Sequence, residues 1–188
     1  MSFIHYPMNQ IYLKILYHGP TESGKTTNLQ WIAKKKQADS LVFEKDFPFD
    51  LLTLPMEDFH TYQVRLQLQA LSQKFVEKDS HLFILNGVNG IIFTIDSHHE
   101  KLNANLKSYE SLEKDLEEQG YNLHQIPHVF QYNKRDLENP VPIQELQAIF
   151  NPTRRPYFEC IAHQGIGVLE TLQSTYELVI QSFIGKKE

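Results

Sequence analysis

Residues 19–26 carry glycine, lysine and threonine at the spacing that a phosphate-binding loop requires. The glycines Gly19 and Gly24 permit backbone angles that turn several N–H groups toward one point, and a helix beginning there adds partial positive charge. Lys25 supplies a point charge for the β- and γ-phosphates, and the Thr26 hydroxyl is a ligand for Mg²⁺. The predicted phosphate site comprises Gly19, Glu22, Ser23, Gly24, Lys25, Thr26 and Thr27, with Thr26 as the metal ligand.

A second motif, Asn-Lys-Arg-Asp at residues 133–136, follows an apolar run. The Asp136 carboxylate can accept two hydrogen bonds from guanine, whereas adenine lacks those donors and would leave the charge unpaired. Lys134 can lay its methylene stem along the base, and Ala162, at the end of a later apolar run, can offer a backbone N–H to guanine O6. Together with Asn133, these residues predict a pocket selective for guanine.

The two motifs carry more information together than either does alone. For residues 19–26 the alternative is a chance match, which their place between a predicted strand and a predicted helix makes rare. For residues 133–136 taken alone, the alternative is a polar turn after a strand. The second motif, however, follows the first by about a hundred residues and falls at the end of a later apolar run. The pair predicts GTP or GDP as the bound nucleotide, accompanied by Mg²⁺.

Apolar runs alternate with amphipathic stretches along the chain, which predicts a single α/β domain over residues 1–188 with a mostly parallel central sheet and helices on both faces. In such sheets ligands bind at the carboxyl ends of the strands, where both motifs fall. The predicted strands are 11–17, 51–54, 62–70, 90–95, 128–132 and 157–162, and the predicted helices are 27–36, 101–119, 142–150 and 168–183.

The strand predicted at residues 62–70 alternates strictly between apolar and polar side chains. This period of two indicates one buried and one hydrated face. We therefore expect this strand to lie near an edge of the sheet.

Composition excludes several classes of protein. The net charge of −5 and a pI of about 6.0 argue against a nucleic-acid partner, which requires a basic surface. A single cysteine, Cys160, excludes an internal disulfide and fits a reducing compartment. The sequence has no membrane-spanning apolar run, signal peptide or lipidation motif, so we expect a cytoplasmic protein with no direct membrane anchor.

Longer segments carry a family resemblance. Residues 1–4, 24–30, 118–121, 131–137 and 165–168 are together typical of the bacterial MglA-like GTPases of gliding motility and polarity. The chain resembles this family almost from end to end. The resemblance implies a Ras-like P-loop fold, a cycle between GTP and GDP, a roadblock-type activator protein, polarity and motility effectors, and recruitment to a cell pole by such partners.

The resemblance breaks in the two switch segments. Counted without gaps, the family's Thr-Val-Pro-Gly-Gln falls on residues 70–74, so Gln73 replaces its γ-phosphate-binding glycine and Lys74 its catalytic glutamine. A charged lysine accepts no hydrogen bond from an attacking water. Upstream, the family's Arg-Thr pair falls on Lys45 and Asp46.

The resemblance therefore assigns catalytic positions to Lys25, Lys74 and Lys45, with the last two altered. We expect nucleotide binding with weak hydrolysis, because positioning of water and stabilisation of charge are both changed. One alternative is a fully competent GTP/GDP switch with rewired segments. A lesser alternative is a P-loop kinase for a small metabolite, which leaves residues 133–136 unexplained.

Overall fold

A computed structural model describes residues 3–5, 9–36, 41–42, 49–58, 61–71 and 78–184. The strands among them are β1 (Phe3–His5), β2 (Gln10–His18), β3 (Leu41–Val42), β4 (Phe49–Pro55), β5 (Gln63–Leu71), β6 (Gly90–Asp96), β7 (His128–Asn133) and β8 (Tyr157–Glu159). The α-helices among them are α1 (Lys25–Lys36), α2 (Lys78–Leu85), α3 (Leu102–Glu118), α4 (Ile143–Phe150) and α5 (Val168–Ile184).

The described strands form one sheet in the order β3-β4-β5-β2-β6-β7-β8, and β1 also pairs with β2. Strand β2 runs parallel to β5 and β6, and β7 runs parallel to β6 and β8. Strand β4 is antiparallel to β3 and β5, and β1 is antiparallel to β2. The prediction of a mostly parallel α/β sheet is confirmed.

The strand register brings the two motifs to one edge of the sheet. His18, the last residue of β2, pairs with Phe93 of β6, and further along β6 Asp96 pairs with Asn133, the last residue of β7. Parallel strands end on the same side, so the loops after β2, β6 and β7 converge.

Helices cover both faces of the sheet, as predicted. Successive side chains of β2 point to opposite faces. Ile15 belongs to the core cluster that contains residues of α1 and α5, whereas Leu16 belongs to the cluster that contains residues of α2, α3 and α4. Each fully buried leucine or isoleucine in these clusters contributes roughly 1.5–3 kcal/mol. The two cores hold the carboxyl edge in place.

Residues 62–70 were predicted near a sheet edge, and β5 is third in the strand order, inside β4 and the two-residue β3. It is not itself an edge strand, because it is paired with β4 on one side and β2 on the other. Alternating polarity reports which face of a strand water reaches, and it carries no information about lateral neighbours.

Several element boundaries also differ from expectation. Helix α1 begins at Lys25, two residues before its predicted start. Strand β8 is shorter than predicted, because the chain then turns and forms an isolated bridge between Ile161 and Ile166. Helix α2 and the short strands β1 and β3 were not predicted.

Candidate nucleotide-binding site

The loop between β2 and α1 requires glycine at two positions. Gly19 has a φ of +144°, and a Cβ there would lie 2.2 Å from the Thr94 carbonyl oxygen. Gly24 has a φ of +103°, and a Cβ there would lie 2.1 Å from Asn133 Nδ2. Any side chain would clash with backbone at the first position and with the second motif at the other.

Lys25 lies at the first turn of α1 with only 8% of its surface exposed. Its Nζ donates to the Gly19 carbonyl at 2.9 Å and to the Pro20 carbonyl at 2.7 Å. Burial lowers the pKa of Lys25 to about 8, partly offset by the nearby carboxylate of Asp50. The ammonium is therefore held against the loop, largely stripped of water, where an anion would interact with it strongly.

Thr26 pairs with an acidic residue that the sequence analysis did not select. Its hydroxyl donates to Asp50 Oδ2 at 2.5 Å, and Asp50 is 9% exposed on β4. The register of β4 against β5, with Asp50 opposite Ala70, brings the carboxylate there. The sequence did carry one signal for Asp50, because it is an aspartate next to apolar residues. A buried carboxylate is rare without a partner, so such a position indicates a polar contact.

Asn133 joins the two motifs. Its Nδ2 donates to the Ser23 carbonyl of the phosphate loop at 2.7 Å, and its Oδ1 accepts from the Ala162 N–H at 3.0 Å. Both bonds are buried, so losing either would leave an unsatisfied group at a cost of roughly 1–3 kcal/mol. One amide thus fixes the loops after β2, β7 and β8 relative to one another.

A cavity of about 200 Å³ opens between these loops. It gathers residues from both predicted motifs, and it adds Leu137 and His163, which the sequence analysis missed. The His163 Nε2 lies 3.9 Å from Asp136 Oδ2, and no sequence signal beyond its position after Ala162 marked it. The predicted residues that line this cavity are Glu22, Gly24, Thr27, Asn133, Lys134, Asp136 and Ala162.

A larger cavity of about 380 Å³ lies at the opposite edge of the sheet, beside the start of β6 and the end of α5. Its walls are formed by apolar side chains, amides such as Asn122 and Gln125, and hydroxyls. None of its lining residues carries a charge. Phosphate binding needs cationic side chains or the N–H donors of a helix N-terminus, and these lie beside the smaller cavity. The smaller cavity is therefore the candidate nucleotide site.

The Ala162 N–H, predicted as a donor to guanine O6, donates to Asn133 Oδ1. The contact with O6 stays a prediction. Lys45, Asp46, Gln73 and Lys74 lie outside the described residues. The inference of weak hydrolysis that depends on them therefore also stays a prediction.

No protein-family model matches the chain. The chain is 40% identical over 188 residues to the mutual gliding-motility protein MglA of Myxococcus xanthus (strain DK1622), covering 96% of each chain. It belongs to the MglA-like family of small GTPases. Members of this family have a Ras-like α/β fold, and small GTPases bind guanine nucleotide and Mg²⁺.

Family membership and fold, both predicted from the sequence, are thus confirmed. The family connects the chain with small GTPases of motility, and it implies regulators and effectors in general. Within the described residues, no helix combines the length and apolar character needed to span a bilayer.

Proposed function

We propose that this chain is a guanine-nucleotide-binding regulatory protein that holds GTP or GDP between the phosphate loop and residues 133–136, hydrolyses GTP slowly, and acts in polarity or motility through partners. The observation that carries this proposal is the bridge formed by Asn133, which joins Ser23 and Ala162. It builds the phosphate loop and the base-reading segment into one cavity.

The phosphate end of the site is suited to a nucleotide with its metal. Lys25 supplies the positive charge, and the N-terminus of α1 supplies N–H donors. The Thr26 hydroxyl and the Asp50 carboxylate are hard oxygen donors of the kind that Mg²⁺ prefers, so these residues would hold the ion directly or through water. When bound, Mg²⁺ neutralises charge on the phosphates.

The base end of the site is suited to guanine. Asp136 lines the cavity, its carboxylate is partly exposed, and the nearby His163 Nε2 lies 3.9 Å from Asp136 Oδ2. A carboxylate in this position gains two hydrogen bonds from guanine and none from adenine. This difference gives the preference for guanine over adenine.

Slow hydrolysis is proposed from the sequence alone. Lys74 stands where the family has a glutamine that orients water, and Lys45 stands where it has an arginine. Turnover in such proteins depends on placing the water and stabilising the developing charge. We therefore expect hydrolysis no faster than the roughly 10⁻³ per second of an unassisted small GTPase.

The test is to denature the purified protein, identify the released nucleotide, and then follow phosphate release from GTP in a single turnover. The proposal requires GDP or GTP in near-stoichiometric amount and slow phosphate release. A Lys74→Gln variant should release phosphate faster. Unassisted turnover on the order of 10⁻² per second or faster would refute slow hydrolysis, and a protein that binds neither nucleotide at micromolar concentration would refute the whole proposal.

A fully competent GTP/GDP switch is the second candidate. The Thr26–Asp50 pair supports it as well, because these two oxygens would suit the Mg²⁺ ion that such a switch needs. A switch must bind a partner with different affinity in its two nucleotide states. The partners proposed by family resemblance are a roadblock-type activator and polarity or motility effectors, which would recruit this cytoplasmic protein to a cell pole. Equal partner affinity with GDP and with a non-hydrolysable GTP analogue would exclude the switch.

A further inference from the structure

The carboxylate of Asp96 lies at the carboxyl end of β6, and its side chain is completely buried. Its Oδ2 accepts from Lys134 Nζ at 2.7 Å. Its Oδ1 accepts from His98 Nδ1 at 2.7 Å and from the His98 backbone N–H at 3.1 Å. Burial alone would raise the pKa of Asp96, but the bonds from Lys134 and His98 outweigh burial and lower it, so the group is ionised at neutral pH.

The backbone of Asp96 is also fixed. The side chain of Asn105, on α3, donates through Nδ2 to the Asp96 carbonyl at 2.9 Å and accepts the Asp96 N–H through Oδ1 at 3.0 Å. Asn105 is itself completely buried. The negative charge is therefore held in one position by both a strand and a helix.

Lys134 is consequently held at both ends. Its backbone has a φ of +63°, directly after the last residue of β7, and its Nζ is bound to Asp96. Lys134 lines the cavity together with Asp136, whereas Asp96 is not part of the lining. Because the ammonium is bound to a carboxylate that lies outside the lining, we infer that the part of Lys134 bordering the cavity is its methylene stem.

We propose that Asp96 is a positioning residue of the guanine pocket: it fixes the Lys134 ammonium, so that the lysine stem forms a preformed apolar wall for the base. This inference rests on the proposed function. A free lysine loses rotamer entropy when a ligand immobilises it, at a cost of affinity. Here folding has already ordered the side chain before the nucleotide binds.

The test is a double-mutant cycle on the affinity for GDP carrying a fluorescent N-methylanthraniloyl group on the ribose. Asp96→Asn keeps the shape and removes the charge, and we expect the Kd to rise on the order of tenfold. Lys134→Met keeps the stem and removes the ammonium. In the Lys134→Met background, Asp96→Asn should change the Kd by less than about twofold, because its effect passes through the lysine.

Controls separate this role from support of the fold. Asp115→Asn neutralises another buried carboxylate on α3, ten residues and roughly 15 Å beyond Asn105, and should leave the Kd unchanged. If Asp96→Asn yields no folded protein, His98→Ala serves instead, because it removes a donor to the same carboxylate from a partly exposed position. It should raise the Kd about threefold, and only when Lys134 is present.

The outcomes are distinct. An equal loss of affinity with and without the Lys134 ammonium would show that Asp96 acts only through the fold, and would overturn the inference. Unchanged affinity in both Asp96→Asn and His98→Ala would overturn it as well. A wild-type protein that binds no labelled GDP would refute the proposed function, and this inference with it.

Discussion

Lys25 is the residue on which phosphate binding depends most directly, because its ammonium is buried against the carbonyls of Gly19 and Pro20. A Lys25→Ala variant removes the charge and leaves those carbonyls intact. Charge-assisted hydrogen bonds contribute roughly 1.5–3 kcal/mol each, so we expect the Kd for labelled GDP to rise about a hundredfold. Lys35→Ala, on the exposed side of the same helix, is the control and should bind as the wild type does.

The lowered pKa of Lys25, about 8, predicts that nucleotide affinity depends on pH. Phosphates favour the protonated lysine, which predominates below about pH 8. Above about pH 8 the free protein has a neutral Lys25, which must take up a proton when the nucleotide binds. The Kd should therefore rise by a factor approaching ten per further pH unit. Titrations with labelled GDP from about pH 7 to about pH 9.5 measure the pH dependence of the Kd. In Lys25→Ala the rise in Kd that depends on Lys25 should be absent. A flat wild-type profile would contradict the lowered pKa.

Under the proposed function, Asp136 determines whether the cavity accepts guanine or adenine. We expect Asp136→Ala to lose most of the preference for GDP over ADP, which a pocket with a paired carboxylate can set at roughly 10⁴-fold. Competition of GDP and ADP against the labelled nucleotide measures the ratio. Glu138→Ala alters an exposed acidic residue two positions away and should keep it. An unchanged ratio in Asp136→Ala would remove this residue from the base site.

At the scale of elements, the site depends on how three loops are joined. Asn133, at the end of β7, bonds to the loop before α1 and to the segment after β8. Neither contact is visible in the sequence, because the partners lie 110 and 29 residues away along the chain. The bonds exist only when β2, β7 and β8 take their places in the sheet.

Asn133→Ala should therefore lower stability and nucleotide affinity together. We expect a loss of roughly 1–3 kcal/mol in the free energy of unfolding, measured in urea, with at least a tenfold rise in the Kd for GDP. Asn151→Ala is a matched control, since Asn151 is buried and makes two hydrogen bonds to the backbone of Arg155. It should lose similar stability and keep its affinity. Equal loss of affinity in both variants would contradict the role of Asn133 as a bridge.

At the scale of the whole molecule, the nucleotide is expected to stabilise the fold, because it would contact loops from both halves of the chain. At a concentration one hundred times the Kd, GDP should add about 2.7 kcal/mol to the free energy of unfolding. Thermal unfolding with GDP and with ADP at equal concentration measures this, and ADP should give little shift. Lys25→Ala should lose the effect of GDP at the same concentrations.

The single tryptophan offers a second signal for the same measurement. Trp31 on α1 packs so closely against Gly165 that a Cβ there would lie 1.8 Å from its indole ring. Gly165 belongs to the turn after Ala162, which lines the candidate cavity. Guanine binding in this cavity should change the tryptophan emission, because the turn that contains Gly165 contacts Trp31 on α1.

The sequence by itself determined the contiguous features. Residues 19–26 and 133–136 carry their chemistry within a few neighbouring positions, so residue type and spacing were sufficient to select them. Buried strands such as β6 and β7 were predicted because a run of apolar residues needs no information about partners. The family resemblance was found in the same way, from short segments read in order, and the relative confirmed it.

The tertiary structure alone decided the contacts between distant residues. Asp50 meets Thr26 across 24 positions, and Asp96 meets Lys134 across 38, because strand register and order set these distances. The interior position of β5 was decided in the same way, by pairing with strands on either side. A local pattern records whether a residue is buried, but the identity of its neighbour depends on packing of the whole chain.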